Sequence, residues 1–402
     1  MNILTPSQAG SMPGYLFHQP PCVKTFPHVV EIGDAWGKIG SGIGDESSAE
    51  QSALGEYFER RHFYMEVASE LRATLRSALG SKEAHVFCDA FLQTSQRLLT
   101  PVVIDEHAFD MTKAYRISDF SACFIPTALL SLTHIKGDPD NEIYPGRDTC
   151  GCSFHLSSEL SIFGAIKESL ERQFLARFWL TKKCNYKLTS EMLKKQFQNQ
   201  PRQALLNLLC KAGEVMALDV SDQRFPGKCV VLIYGSKDTS RNVRYCAGMA
   251  YANSLKNALE KALLELWQTF RFMQLIGELK NNAADVEDPY LRHFLSCNTF
   301  STFENMAAAI ESSEPAKSTA LDKPDMSANG LVQALRKQNI EGYLYIKAIQ
   351  HSGNQYTFCK FVSPSLFLHM NNAKNINMKN KYSDGFATDI SPIRKTVMVP
   401  FP

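Results

Sequence analysis

Ala53-Leu54-Gly55-Glu56-Tyr57-Phe58-Glu59-Arg60 recurs in altered form twice. It returns as Ala165-Ile166-Lys167-Glu168-Ser169-Leu170-Glu171-Arg172 and as Ala262-Leu263-Leu264-Glu265-Leu266-Trp267-Gln268-Thr269. Each copy reads alanine, aliphatic, any residue, Glu, any residue, bulky apolar, then Glu or Gln. Each follows a small-residue segment around Gly44, Gly151 or Gly248, which the pattern reads as a turn. Three divergent strand–turn–helix units explain the repeat, and self-similarity of this kind sets the architecture of a chain.

The rest of the sequence fits around these units. Residues 1–45 are rich in Pro and Gly and lack a sustained period, so they read as an irregular arm ending in the turn Gly40–Gly44. The first long helix starts near Ser47 or Ser48, residue types that cap helices. A second helix is expected around 83–98, and strands over TPVVID (100–105), AYRISDF and ACFIPTALLSL, which are rich in β-branched and aromatic residues. The second long helix spans about Ser157 to Leu180. There Ile162, Ile166, Leu170, Phe174 and Phe178 recur every fourth residue as a buried stripe. Helices near 190–198 and 202–212 lead to strands over VMALDV, KCVVLIYG and VRYCAGMAY. The third long helix covers about Ser254 to Ile276. Short helices near 288–295 and 302–311 precede a polar loop near 312–329. A helix near 329–338 and strands EGYLYIKAI and YTFCKFV follow, and the tail from Asn371 reads as mostly irregular. Helices and strands alternate throughout, so the class is mixed α/β (α+β).

Composition narrows the function. With 402 residues, 44% apolar and 21% charged, the chain is long enough for a large core. A formal net charge of +2 lacks the basic excess of a general nucleic-acid binder. No apolar run reaches the roughly 18 residues of a membrane span. The first residues carry no basic segment followed by an apolar one, so no secretory signal is read and the 11 cysteines are expected as reduced thiols in the cytoplasm.

The repeated Glu-x-x-Glu spacing has a chemical consequence. Residues at i and i+3 project from one helical face, and two carboxylates crowded there repel unless a cation lies near them. Magnesium takes oxygen ligands, usually one or two carboxylates plus phosphates and water. Converging helices would thus place Glu56, Glu59, Glu168, Glu171 and Glu265 around magnesium and a triphosphate. Arg60 and Arg172, each following a second Glu, would neutralise phosphate oxygens. The competing interpretation is a solvated helix face with intrahelical ion pairs.

Other motifs add less. The G-x-x-x-x-G-K-[ST] loop is absent, and Gly40–Gly44 misses G-x-G-x-x-G, so any nucleotide site is neither a P-loop nor a Rossmann turn. Cys150-Gly151-Cys152 with Cys184 lacks a second pair at zinc spacing and reads as buried thiols. The absence of G-x-S-x-G gives a serine hydrolase no support. Lys374–Lys381 reads as a solvated basic loop. The ending Met398-Val399-Pro400-Phe401-Pro402 is stiffened by its prolines, and a stiff end can hold the Pro402 carboxylate in one place as a base or anchor. A frayed tail is the alternative.

With these residues in view, the chain resembles the YcaO family of ATP-dependent enzymes that activate the peptide backbone. The family pattern Ser-x-x-x-Glu-x-x-Glu-Arg matches Ser52, Glu56, Glu59 and Arg60. The second Glu-x-x-Glu-Arg matches Glu168, Glu171 and Arg172, and the third acidic helix matches Glu265 and Gln268. The strings Gly55–Phe63, Arg147–His155, Tyr251–Lys256, His369–Asn372 and Met398–Pro402 carry the likeness from about residue 36 to the end. Two departures stand out. Met398 occupies the first position of the family's Pro-x-Pro-x-Pro ending, and His155 or Glu159 stands where an Asn is expected. An arginine before the third unit is expected on phosphate, and Arg244 or Arg241 fits.

The resemblance implies a YcaO-type fold over residues 46–402, with ATP and Mg2+ as cofactors. It implies a cyclodehydratase: a Ser or Cys side chain of a precursor peptide attacks the preceding amide carbonyl, ATP phosphorylates the resulting oxygen, and phosphate leaves to give an oxazoline or thiazoline. Pro402 would supply the catalytic carboxylate. In microcin-type systems the partners are a leader-peptide-binding subunit, an FMN-dependent azoline dehydrogenase and a Gly/Ser/Cys-rich precursor. Nucleic acid and membrane are not expected partners. Thioamide or amidine formation, or a non-catalytic scaffold role, are the alternatives within the family.

Overall fold

The computed structural model describes residues 2–4, 15–18, 26–34, 39–135, 137–278, 286, 289–311, 325–351, 354–372 and 374–401. Pro402, much of the N-terminal arm and most of the loop near 312–329 lie outside the described residues.

The chain opens with an antiparallel sheet of β1 (Asn2–Leu4), β2 (Tyr15–His18), β3 (His28–Gly33) and β4 (Ile39–Gly44) in that order. The arm expected to be irregular thus contributes strands, and the expected Gly40–Gly44 turn is β4. The glycines misled because their use here is close approach rather than a bend. Helix α1 (Glu46–Met65) follows at once. Asp45, not Ser47 or Ser48, caps it: its carboxylate accepts the Ser48 N–H at 2.9 Å.

Next come β5 (Leu71–Ala73), α2 (Leu75–Leu79), α3 (Ser81–Thr94), α4 (Pro101–Glu106), β6 (Phe109–Arg116) and β7 (Ala122–Pro126). The expected strand TPVVID is α4. Extended Thr100 precedes Pro101 at the first helical turn, where a missing N–H costs nothing. Only Ile104 of its apolar residues is buried, so no alternating face is used. Then follow α5 (Asp140–Ile143), β8 (Cys152–His155) and α6 (Ser158–Thr181), capped by Ser157. Alpha-helix α6 is buried on most of its faces and forms the axis of the largest core.

The central part runs β9 (Lys183–Cys184), β10 (Lys187–Leu188), α7 (Ser190–Gln196), α8 (Gln203–Ala212), β11 (Glu214–Asp219), β12 (Lys228–Gly235), β13 (Tyr245–Ala252) and α9 (Leu255–Glu278). Strands β10-β11-β12-β13 form a second antiparallel sheet in that order. The last part comprises α10 (Pro289–Ser296), α11 (Phe300–Ala307), β14 (Ile310–Glu311), α12 (Ala328–Lys337), β15 (Tyr343–His351) and β16 (Asn354–Val362). The third sheet has the order β5-β6-β15-β16-β8, with β7 beside β6. The β15–β16 hairpin therefore inserts between strands from the first half of the chain and fixes β8 ahead of α6.

The repeat units share one packing device. A Cβ at Gly40 would meet the Ala53 carbonyl, and one at Gly248 would meet the Ala262 carbonyl and the Leu266 N–H, closer than real Cβ atoms approach backbone. Strands β4 and β13 thus lie directly on the backbones of α1 and α9. In the second unit the glycine is on the helix, where Gly164 faces Ser153 of β8. Ala53, Ala165 and Ala262 are each fully buried at this contact or beside it. Gly248 is accordingly mid-strand, not in the turn its composition suggested.

The irregular tail beyond residue 371 is packed, not frayed. Asn377 is fully buried and donates to the Pro364 and Leu366 carbonyls, while Asn380 donates to Asn377. Lys374–Lys381 is therefore not simply a solvated loop: its lysines face out and its asparagines serve as internal backbone partners. Every cysteine among the described residues is a free thiol, with Cys152 and Cys184 buried. Among the described residues no helix is long and apolar enough to cross a membrane.

Because an added methyl in a close-packed contact costs about 1–3 kcal/mol, Gly248→Ala is expected to destabilise the chain by roughly that amount. Gly80→Ala, where a Cβ meets nothing within 4 Å, separates the effect of positive backbone φ from that of packing. Urea unfolding of both variants measures the difference.

Candidate active site

The acidic helices converge, and their carboxylates divide into two sets. One set anchors strand edges. Glu56 accepts the Ser41 N–H of β4 at 2.8 Å, and Glu265 accepts the Met249 N–H of β13 at 2.8 Å. Glu171 accepts the Tyr251 N–H of β13 at 2.6 Å and pairs with Lys167 at 3.2 Å. Strands β4 and β13 are the outermost strands of their sheets, so these glutamates satisfy edge amides that no strand reaches. Gln268 donates to the Ser41 hydroxyl at 2.6 Å and ties the third unit to the first.

The second set is free. Among the described residues, Glu59 and Glu168 take no hydrogen bond or ion pair, and both keep part of their surface accessible. Dense surrounding protein nonetheless strips much of their hydration. Burial, then Glu168 and Glu56, push the Glu59 carboxyl well above the usual carboxylate range. Burial, with Glu171 and Asp148 adding to it against Arg172 and Lys167, pushes Glu168 up to about 8. Burial and Glu171 push Glu265 up to about 7 despite Arg172 and the Met249 N–H. Neighbouring carboxylates that cannot all ionise must share protons or be joined by cations.

Arg172 complements them. Burial works against its charge, but Glu168 and its neighbours outweigh that and hold the guanidinium protonated. No carboxylate among the described residues pairs with it; instead it lies 5.3 Å from the Phe401 ring centroid. The penultimate residue of the chain is therefore beside the acidic cluster. Arg60 is half-exposed, pairs with Glu56 and donates to the Ile39 carbonyl at 3.1 Å.

The donor chemistry fits magnesium with a phosphate ligand. Among the described residues no three His, Cys, Asp or Glu side chains form a ready cage. A hard ion that keeps water and phosphate oxygens needs only one or two carboxylates, and Glu59 and Glu168 are unengaged and lie within electrostatic reach of each other. The other expected residues are placed as follows. Ser52 is exposed one turn before Glu56. Arg244 is half-buried, and its Nε is buried without a hydrogen-bond partner. Arg241 is exposed and pairs with Asp238 at 3.3 Å. His155 and Glu159 are both exposed. The His155 ring accepts the Ser157 N–H at 3.1 Å, and Glu159 precedes Glu168 by about 13 Å along α6. Pro402 lies outside the described residues.

Two residues at the site were not anticipated. Lys360 is buried on β16, donates to the Asp148 carbonyl at 3.0 Å, and draws the Glu59 ionisation downward. A lone lysine in the apolar run YTFCKFV was the available signal. Asp148 accepts the Cys150 and Met370 N–H groups at 3.0 and 2.9 Å and opposes the Glu168 charge. Its position before the Cys-Gly-Cys segment gave no comparable hint.

Comparisons with known proteins bear on the family and the fold. The profile of the family described as YcaO cyclodehydratase, ATP- and Mg2+-binding, matches residues 40–366. The microcin B17-processing protein McbD of Escherichia coli is 35% identical over 366 residues, 90% of each chain. A chain of the E. coli microcin synthetase McbBCD complex superposes over 100% of both chains with a TM-score of 0.88 and 32% identity, and so does the complex with pro-MccB17 bound. YcaO from Methanopyrus kandleri, solved with AMPPCP and Mg2+, shares the fold at 11% identity and a TM-score of 0.52 over 88% of this chain and 85% of that one.

The raised carboxyls make stability depend on pH. Between about pH 5 and 8 the native state holds protons on Glu168 and Glu265 that the unfolded state has lost, so stability falls as pH rises through that window. The melting temperature of the metal-free chain is expected to drop from pH 5.5 to 8. Mg2+ with ATP should flatten that slope and release protons at pH 7. Melting curves and calorimetric titration in two buffers measure this, and binding without proton release would count against the cluster.

Proposed function

The chain belongs to the YcaO cyclodehydratase family, and on that premise we propose that Glu59, Glu168 and Arg172 are the centre of its ATP-dependent ring-forming site. The observation that carries this is a pair of electrostatically strained carboxylates, unengaged among the described residues, beside a guanidinium that no carboxylate of the described residues pairs. Phosphoryl transfer needs positioning and charge neutralisation more than covalent chemistry from the protein. Glu59 and Glu168 would hold magnesium, which would supply charge neutralisation for phosphoryl transfer. Glu56, Glu171 and Glu265 fix the strand edges that frame the ion site and contribute negative charge to it. Arg172, Arg60 and Arg244 face phosphate oxygens, with Ser52 at the rim. The Pro402 carboxylate, one residue beyond Phe401, takes the proton of the attacking Ser or Cys side chain. His155, Glu159, Gln268 and Arg241 have supporting roles at most.

Cyclodehydration removes one water per ring, the amide oxygen leaving on phosphate. We assign the chain to a cytoplasmic multi-subunit synthetase of the microcin type. Its partners there are a leader-peptide-binding subunit and an FMN-dependent azoline dehydrogenase, acting on a Gly/Ser/Cys-rich precursor. The likeness to McbD and to a chain of the McbBCD complex supports that assignment.

Chain, partner subunits, ATP, Mg2+ and precursor are expected to give a mass loss of one water per ring. Glu59→Gln and Glu168→Gln should each slow that loss on the order of 100-fold or more, as expected when a group stabilising transition-state charge is removed. A wild-type rate in either variant would remove that residue from the site. A product mass showing sulfur gained in place of oxygen would point to thioamide formation instead.

A further inference from the structure

The end of the chain is held by its carbonyls. Two of its last residues, Pro400 and Pro402, have no N–H to give, so a defined path requires acceptors to be claimed from outside. That is what the structure contains. Trp179 of α6 donates its indole N–H to the Val397 carbonyl at 2.7 Å, and Asn372 donates to the same oxygen at 2.7 Å. His293 of α10 bonds through Nε2 to the Met398 carbonyl at 3.0 Å. The Val399 carbonyl accepts the Phe401 N–H at 2.9 Å, and Tyr245 at the start of β13 donates its hydroxyl to the Pro400 carbonyl at 2.8 Å. Every carbonyl from Val397 to Pro400 is occupied: those of Val397, Met398 and Pro400 by side chains from α6, α10 and β13, with Asn372 also on Val397, and that of Val399 by the tail's own Phe401 N–H. Phe401 is fully buried with its ring beside Arg172.

Such a path is more than a frayed tail needs. Tyr245 is fully buried, and among the described residues its hydroxyl makes this one hydrogen bond, to the residue before Phe401. We propose that Tyr245, supported by His293 and Trp179, is a positioning residue for the reaction: it acts through the Pro400 carbonyl to hold the tail with Phe401 beside Arg172, as the carboxylate role proposed for Pro402 requires. This rests on the role assigned to that carboxylate above. Tyr245 touches neither nucleotide nor metal in this account, so its loss should move turnover and leave ATP binding unaltered.

Four forms of the chain in the assembled complex test this: wild type, Tyr245→Phe, deletion of Pro402, and both changes together. Ring formation is followed by mass, and ATP KM and melting temperature are measured alongside. Tyr245→Phe keeps the ring and removes only the hydroxyl. It is expected to lower kcat on the order of 10- to 100-fold, the loss that small misplacements of catalytic groups produce, with ATP KM within about twofold of wild type. The double variant should be no slower than the Pro402 deletion alone, because the hydroxyl then has nothing to position. Two losses that multiply, an unchanged kcat in Tyr245→Phe, or an unchanged kcat on deleting Pro402 would each overturn the proposal. If Tyr245→Phe melts well below wild type, His293→Leu takes its place under the same criteria. Absence of rings with the wild-type complex would instead refute the assigned reaction, so the two failures are distinct.

Discussion

Everything at the site depends on strands lying directly on helix backbones. Glycine in β4 and β13 removes the Cβ that would otherwise hold α1 and α9 away, and alanine on each helix completes the contact. Only at that separation can Glu56 and Glu265 reach the edge amides of Ser41 and Met249. The same hydrogen bond at the same place in two units fixes helix rotation as well as distance. It thereby aims the next Glu of the first unit, one turn further on, into the interior. Packing this close leaves no slack for even one methyl group.

That interior is electrostatically unfavourable without a ligand. Glu59 is crowded by Glu168 and Glu56, Glu168 by Glu171 and Asp148, and Glu265 by Glu171, and all three are poorly hydrated. Lys360 and Arg172 offset part of the charge, while Lys167 is committed to Glu171. Burial of unpaired charge costs several kcal/mol per group in a protein interior. The fold carries this because the surrounding core is large, and under the proposed function bound cations and phosphate would offset it. The strain is confined to the acidic cluster, and the strand-edge hydrogen bonds of Glu56, Glu171 and Glu265 hold the surrounding frame in place.

A second organising feature is closure by the end of the chain. Strands β15 and β16 pass between β6 and β8, and the tail then returns across α6, β13 and α10 to put Phe401 beside Arg172. The acidic cluster thus brings together residues as far apart in sequence as Glu59 and Phe401. Such non-local assembly forms late and is sensitive to every element it crosses.

The three long helices, most strands and the acidic repeat were legible in the sequence because helical periodicity and repeated spacing are local properties. So was the crowding of carboxylates, since Glu at i and i+3 shares a helical face whatever surrounds it. The differences are local as well: Gly40–Gly44 lies in a strand and not a turn, and TPVVID enters a helix and not a strand. In both cases tertiary contact overrode composition. What the sequence could not decide was the division of labour among identical residue types. Glu56 and Glu59 are alike in the chain and differ only in whether a strand edge offers them an N–H. Lys360, Asp148 and the carbonyl clamp on the tail were likewise invisible, because each is defined by partners more than two hundred residues away, or in other elements, that only the folded chain brings within hydrogen-bond reach.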